Sequence, residues 1–337
     1  MNYRHAFHAG NFADVVKHAV LVRILVHLRA KPAAFRVIDT HAGAGLYDLA
    51  GAEAGRSGEW RDGIARVLRA FSGKSLTPAG SIAETDLGST RDRRSILPKS
   101  ATADLGAALP QKMRPAQETS SQVGEGARAL LAPYLDAVAA LNDAGRLTTY
   151  PGSPALVRAF LRTQDRLTAC ELEPNAAAAL ARNLRGDRRC KAVAIDGWTA
   201  LNAFVPPKER RGLVLIDPPF EEAGDFPRLA SELEAAHRKW ASGTYLLWYP
   251  IKEREAPDAL VRRLLRSGMV KSGTSSILRA ELSVAGPRDA NRLGACGLIV
   301  VNPPWTLESE LGVLLPELAA AMSGEGRGTH RVDSLRA

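Results

Sequence analysis

Residues 212–222 read GLVLIDPPFEE: an apolar, β-branched run, an acid, two prolines and an aromatic ring. These residue types in this order can grip an amine. Asp217 offers a carboxylate acceptor. The prolines have no N–H to compete for it, and they fix the backbone so that the Pro218 carbonyl can serve as a second acceptor. Phe220 offers a face on which a planar base can stack, worth ~1–3 kcal/mol. An exocyclic adenine nitrogen needs such help, because its lone pair is delocalised into the ring. Two acceptors on its N–H bonds favour the tetrahedral, more nucleophilic form. Prolines after a strand can also do no more than end it. Residues 297–305, GLIVVNPPW, repeat the pattern with Asn302, Pro303 and Trp305, so at most one of the two stretches is expected to be the chemistry.

A series of acids supports the first. Asp39 ends one strand-like run and is followed by Gly43 and Gly45; Glu171, Asp196 and Asp217 end the next three, 25 and 21 residues apart. Each interval is one strand–helix unit. In a doubly wound sheet the carboxyl ends of parallel strands line one crevice. An acid at the second strand can accept ribose hydroxyls, and one at the third can accept from an adenine amino group. A single such acid reads as a cap or turn residue; four in this order read as a nucleotide-type cofactor site. The glycine turn is not GxGxxG and no helix start directly follows it, which argues against a dinucleotide. In YPGSPALVRAFL, Ser153 fits an N-cap and Pro154 the first helical position. The free amides there suit a carboxylate ligand, though plain capping is the favoured reading of Ser153 taken alone.

The elements that must hold these groups follow from the apolar runs. Seven read as strands: 35–40, 166–171, 190–196, 212–217, 243–250, 276–282 and 297–303. Most are continuous rather than alternating, as in strands covered on both faces. Helical stretches alternate with them, which predicts a parallel, doubly wound sheet. A helix over about 12–30 precedes the first strand. About 125 residues then separate the first two strands; helical pieces over 63–71 and 127–143 flank a polar stretch, 72–126, expected to be disordered. The tail 323–337 is expected to be disordered as well.

Composition sets the outer limits. The chain has 337 residues, 45% of them hydrophobic, and a net charge of +9. That charge suits a polyanionic partner or a solvated basic surface. No run is long and charge-free enough to span a membrane, and the first ten residues have no signal-peptide core. Cys170, Cys190 and Cys296 are far apart and set in apolar runs, so they read as buried thiols in a reducing cytoplasm. Four of seven histidines, His5, His8, His18 and His41, precede residue 42. They offer no HExxH and no cysteine partner, so no metal is expected. The segment YRHAFHAGNFADVVKH reads either as a lid whose Lys17 and His18 reach a ligand or as a partly buried aromatic cap.

That segment, with DTHAGAG, GEW.DGIARV, YPGSP, ELEP, DG, RRGL.LIDPPF, TYLLWYP and NPPW, resembles the bacterial 23S ribosomal RNA adenine-N6 methyltransferases that act on a single large-subunit adenine. The match spans nearly the whole chain outside 72–126 and the tail. The resemblance implies an α/β, Rossmann-like class I methyltransferase: a seven-stranded, mostly parallel sheet with the last strand antiparallel. A helical subdomain is inserted over 51–148, between the first strand (1–50) and the remainder (149–322). The cofactor it implies is S-adenosyl-L-methionine, contacted by His18, His41, Ser153, Glu171, Asp196, Gly197 and Asp217. Asp217, with Pro218 and Phe220, would form the reaction centre. Tyr3 and Lys17 would meet the RNA. Phe220 stands where tyrosine is common, which keeps the stacking and loses a hydroxyl. In an antiparallel seventh strand, NPPW points away from the crevice, and so it is expected to be the terminator. The expected enzyme methylates N6 of one 23S rRNA adenine, as a cytoplasmic monomer with no membrane or metal partner. The alternatives are a DNA adenine or protein glutamine methyltransferase, and a catalytically silent RNA-binding protein.

Overall fold

The seven expected runs all form strands, within two residues of their expected ends: Phe35–Asp39 (β1), Arg166–Glu171 (β2), Cys190–Ala194 (β3), Arg211–Ile216 (β4), Thr244–Pro250 (β5), Ile277–Ser283 (β6) and Ala295–Val301 (β7). An eighth, Thr329–Leu335 (β8), extends the sheet. In this computed structural model residues 4–72, 77–78, 123–143, 145–222, 224–271, 276–284, 293–324 and 328–335 are described. The strand order is β3-β2-β1-β4-β5-β7-β6-β8. β1 lies parallel between β2 and β4, and β4 pairs parallel with β5. β7 runs antiparallel to both β5 and β6. A β1 centred between two outward-wound halves, with a reversed seventh strand, is the class I methyltransferase arrangement.

Two expectations change. The sheet has eight strands rather than seven, and the tail expected to be disordered supplies the eighth, antiparallel to β6. THRVDSL reads as polar because an edge strand is solvated and charged. What anchors it is Asp333, whose carboxylate takes two bonds, 2.9 and 2.7 Å, from the buried Arg279 of β6. The expectation for 72–126 falls almost wholly outside the described residues, and so does Tyr3.

Alternating side chains send the strands' apolar groups to two cores. Leu213 and Leu215 face one; Val214 and Ile216 face the other. The first core is closed by Phe12–Arg29 (α1), Ile64–Ser72 (α2), Glu125–Ala139 (α3), Ser153–Phe160 (α4), Pro174–Asn183 (α5) and, at the far side, Leu307–Met322 (α9). The second is closed by Gly197–Phe204 (α6), Asp225–Lys239 (α7) and Glu255–Arg266 (α8). α1 is buried at all but four of its eighteen residues, Asp14, Lys17 and His18 included. A helix without a polar face must be enclosed, and its three buried polar residues therefore need partners within the protein.

α4 starts differently from the expectation. Gly152 is its N-cap and Ser153 is already the first helical residue. The Ser153 hydroxyl is thus released from capping.

Candidate active site

The carboxyl ends of β1, β2 and β4 lie side by side, because Asp39 pairs in register with Ala169 and with Leu215. The glycine turn after β1 needs positive φ at Gly43 (61°) and Gly45 (80°), which glycine adopts without strain. It is pinned from two sides. Gly43 N–H donates to Glu171 Oε2 at 2.7 Å, and Gly152 N–H donates to Gly45 O at 2.9 Å. The other Glu171 oxygen accepts from Glu173 N–H at 2.8 Å. Two amides fix this carboxylate while each oxygen keeps a lone pair to spare.

Below the turn a cleft of about 160 Å³ opens between the ends of β2, β3 and β4. His41, Glu171, Asp196, Gly197 and Pro218 line it, so it gathers five of the residues expected from sequence. Asp196 caps α6 by accepting from Thr199 N–H at 2.8 Å. At Gly197 a Cβ would lie 2.5 Å from His41 Nε2 and from the Thr40 carbonyl, which leaves room only for hydrogen there. Burial pushes the His41 imidazole down to about 4. Trp198 and Arg228 complete the rim, with the guanidinium 4.9 Å over the indole; nothing in the sequence marked these two.

On the α1 side a buried charge chain leads to Asp217. Lys17 Nζ lies 2.9 Å from Asp14 Oδ1 and 2.5 Å from Asp217 Oδ2. The second Asp14 oxygen is 3.0 Å from both His5 Nε2 and Gly10 N. Burial opposes ionisation of both members, yet His5 and Lys17 hold the Asp14 carboxyl well below the usual carboxylate range. Asp14 and Asp217 likewise hold the Lys17 ammonium well above its ordinary value, against the pull of burial. Asp217 Oδ1 has no partner among the described residues. Asp14 escaped the sequence reading; the signal was an acid three residues before Lys17 in a mostly apolar helix.

Ser153 and His18 are buried and do not line the cleft. The Ser153 hydroxyl donates to Asp39 Oδ2 at 2.7 Å. Asp39 is fully buried, and burial pushes its carboxyl up to about 7. Its Oδ1 and Trp60 Nε1 are the buried side-chain polar atoms without a partner among the described residues. His18 Nδ1 is 2.8 Å from the Tyr150 hydroxyl, and burial drives its imidazole down to about 3.

Phe220 carries φ 51°, a left-handed backbone that costs an aromatic residue of order 1–3 kcal/mol and is found where a site demands it. Its ring packs 4.8 Å from Phe226 and 5.8 Å from Trp248. The twin motif is elsewhere. Asn302 follows Val301, which pairs with Tyr245 at the opposite, amino end of β5. Its side-chain amide donates to Ala241 O and Gly243 O, both at 2.8 Å. Asn302 is a loop clamp at the sheet's other end, and Trp305 is 85% exposed there.

Comparisons with known proteins identify the family of the chain. A family profile described as "Ribosomal RNA large subunit methyltransferase D, RlmJ" matches residues 32–72 and 122–335. Two curated relatives are each named "Ribosomal RNA large subunit methyltransferase J". The Haemophilus influenzae protein is 33% identical, with 99% of this chain and 98% of that one covered. The Escherichia coli K12 protein is 34% identical, with 97% and 96% covered. A solved Legionella pneumophila structure is 27% identical, with a TM-score of 0.74 over 97% of this chain and 98% of that one. With its fold, its carboxylate-lined cleft and these matches, the chain belongs to the ribosomal RNA large subunit methyltransferase J family.

Proposed function

We propose that this protein transfers a methyl group from S-adenosyl-L-methionine to N6 of an adenine in 23S rRNA. The observation that carries this reading is the Asp217 carboxylate at the end of β4. One of its oxygens is held by Lys17 and the other is left free beside the cleft. That is an oriented acceptor waiting for an N–H donor.

The cleft suits the cofactor. Asp39 Oδ1, buried and unpaired, fits an ammonium group. The α4 start and His18 offer donors to a carboxylate. Glu171 can accept from ribose hydroxyls, and Asp196 can accept from the amino group of an adenine in the cleft. When bound, the cofactor supplies an electrophilic methyl group on a sulfonium.

The chain's own residues then have distinct tasks. Asp217 Oδ1 and the Pro218 carbonyl accept the two N6–H bonds and hold the amine in line with the methyl group, so that catalysis is mostly alignment. Phe220 stacks the base, which must be unpaired or swung out to reach the site. The amine becomes cationic as it is methylated. Asp14, Lys17 and Asp217 together carry net negative charge, which favours that developing cation in a site shielded from water. Asp217 is then placed to receive the departing proton. The basic surface holds the surrounding RNA.

The decisive experiment compares two substitutions on unmodified 23S rRNA with labelled cofactor. Asp217→Ala should abolish methylation; wild-type rates would falsify the assignment. Asn302→Ala should leave turnover per folded molecule unchanged. Nucleoside mass spectrometry of rRNA from a deletion strain should show one N6-methyladenosine lost. Methylation of DNA or a protein in preference to rRNA would favour the alternative enzymes, and no cofactor binding by calorimetry would favour a silent RNA-binding protein.

A further inference from the structure

Glu171, Asp196, Glu221, Glu222 and Asp225 bring carboxylates to the lining of the cleft, and Arg228 is the one lysine or arginine among the described residues there. His41, also in the lining, is neutral at pH 7, since burial pushes it down to about 4. The mouth is therefore acidic on a chain whose net charge is +9. An arginine set among so many acids is expected to pair with one of them. It does not: the Arg228 guanidinium has no hydrogen bond or ion pair among the described residues. The group lies instead on the Trp198 indole, 4.9 Å from the ring centroid. Trp198 is itself buried and so makes a fixed platform.

The choice of partner has a consequence. A carboxylate would neutralise the guanidinium and fill its fork. An indole face holds the cation through its quadrupole and leaves both the charge and the in-plane N–H donors unspent. Arg228 is thus an anion site on the rim of a cleft that otherwise repels anions. Two kinds of anion reach this cleft in the reaction proposed above, the carboxylate of the cofactor and the phosphates of the RNA. The cofactor's carboxylate is bonded to the carbon that bears its ammonium, and that ammonium is assigned to Asp39. Asp39 is fully buried on β1 and outside the lining that contains Arg228. Arg228 belongs to the substrate side. Its helix, α7, follows the DPPF turn, and the first turn of that helix also carries Phe226, whose ring packs 4.8 Å from Phe220. One helical turn therefore supports the proposed stacking ring and carries the cation.

We infer that Arg228 is a substrate-binding residue whose guanidinium, laid on Trp198, grips a backbone phosphate next to the target adenine. The inference rests on the functional reading above, in which the adenine enters at Asp217 and Phe220. It also accounts for an acidic mouth on an RNA enzyme. Carboxylates around the opening suit a cationic cofactor and repel phosphates. The strand then settles where the one cation meets it, because any other placement sets a phosphate against a carboxylate. Arg228 would fix the register of the swung-out nucleotide as well as add affinity.

The test uses the full chain and a synthetic RNA fragment holding the target adenine, made with and without uncharged methylphosphonate linkages on either side of that nucleotide. Affinity is read by fluorescence anisotropy over a salt series, and turnover with labelled cofactor. Arg228 is exposed, so its variants should fold. Arg228→Ala should weaken binding of the charged RNA roughly 10-fold, the low end for a charge-assisted hydrogen bond. It should also lower the slope of log Kd against log salt by about 0.7–0.9. The methylphosphonates should weaken wild type by a similar factor and the variant by almost nothing, because both changes remove the same contact. Arg228→Lys should keep the slope and recover only part of the affinity, having the charge without the fork. Cofactor affinity by calorimetry should be the same in all three proteins. Methylphosphonates that weaken the variant as much as wild type overturn the inference. So does a loss that falls on the cofactor, which would give the guanidinium to the cofactor's carboxylate. RNA bound in the expected pattern by wild type but never methylated would sink the functional reading instead and leave the phosphate contact standing.

Discussion

Asp39→Asn is the substitution whose outcome follows most directly from the structure. The Asp39 carboxyl is fully buried, and burial raises it from 3.8 to about 7. Between about pH 4 and pH 7 the folded protein therefore holds a proton that the unfolded chain has released. Stability falls as pH rises through that window and is flat above it. At 1.36 kcal/mol per pH unit over about three units, the ionised carboxylate costs the cofactor-free protein roughly 4 kcal/mol by pH 8. The Asp39→Asn variant is neutral throughout, and its amide oxygen can still accept the Ser153 hydroxyl. Urea midpoints of wild type and variant, both free of cofactor, measure the difference. The gap should move in the variant's favour by a few kcal/mol between pH 4.5 and pH 8. The same variant should bind S-adenosylmethionine at least tenfold more weakly, since it has no anion to offer the ammonium. A gap that does not change with pH would refute the reasoning. So would a variant that binds the cofactor as well as wild type.

Other expectations follow from single contacts. Lys17→Met leaves Asp14 buried without its ammonium partner and should cost about 3–5 kcal/mol in thermal or urea unfolding, together with methylation, because Asp217 loses its anchor. Asn302→Ala removes two bonds to the 241–243 turn and should destabilise by roughly 1–3 kcal/mol while kcat/KM of the folded enzyme is unchanged. Asp333→Ala strips the charged partner from Arg279; denaturation should show a loss of roughly 1.5–3 kcal/mol, and protease should then release the C-terminal strand first.

What the sequence revealed depended on whether the signal was local. DPPF, the glycine turn and the acids at 171, 196 and 217 were legible because each is a strand end followed by a turn, and such patterns fit within a dozen residues. The choice between Asp217 and Asn302 was not local: it needed the direction of the seventh strand, which came from the fold that the resemblance implies. The Lys17–Asp217 pair was not: its members are 200 residues apart, and a lysine in an apolar helix does not name its partner. Ser153 was assigned to the helix cap because its neighbours fit one. Only the fold shows the cap one residue earlier and the hydroxyl turned to Asp39. β8 was missed because an edge strand carries the composition of a loop.

α1 has a consequence for how the chain is made. It precedes every other long element described, and most of its surface is buried. Some of its cover comes from the last long helix: Arg23 forms a two-bond ion pair with Glu310 of α9, at 2.8 and 3.0 Å. Lys17 also waits for a partner two hundred residues downstream. The chain therefore cannot finish its amino-terminal part while the rest is still being translated. Contacts this distant in sequence are slow to form and leave sticky surface exposed meanwhile. A nascent or truncated product should thus be a client for chaperones or proteases rather than a weak enzyme, and methylation competence should appear only once the whole chain has been released.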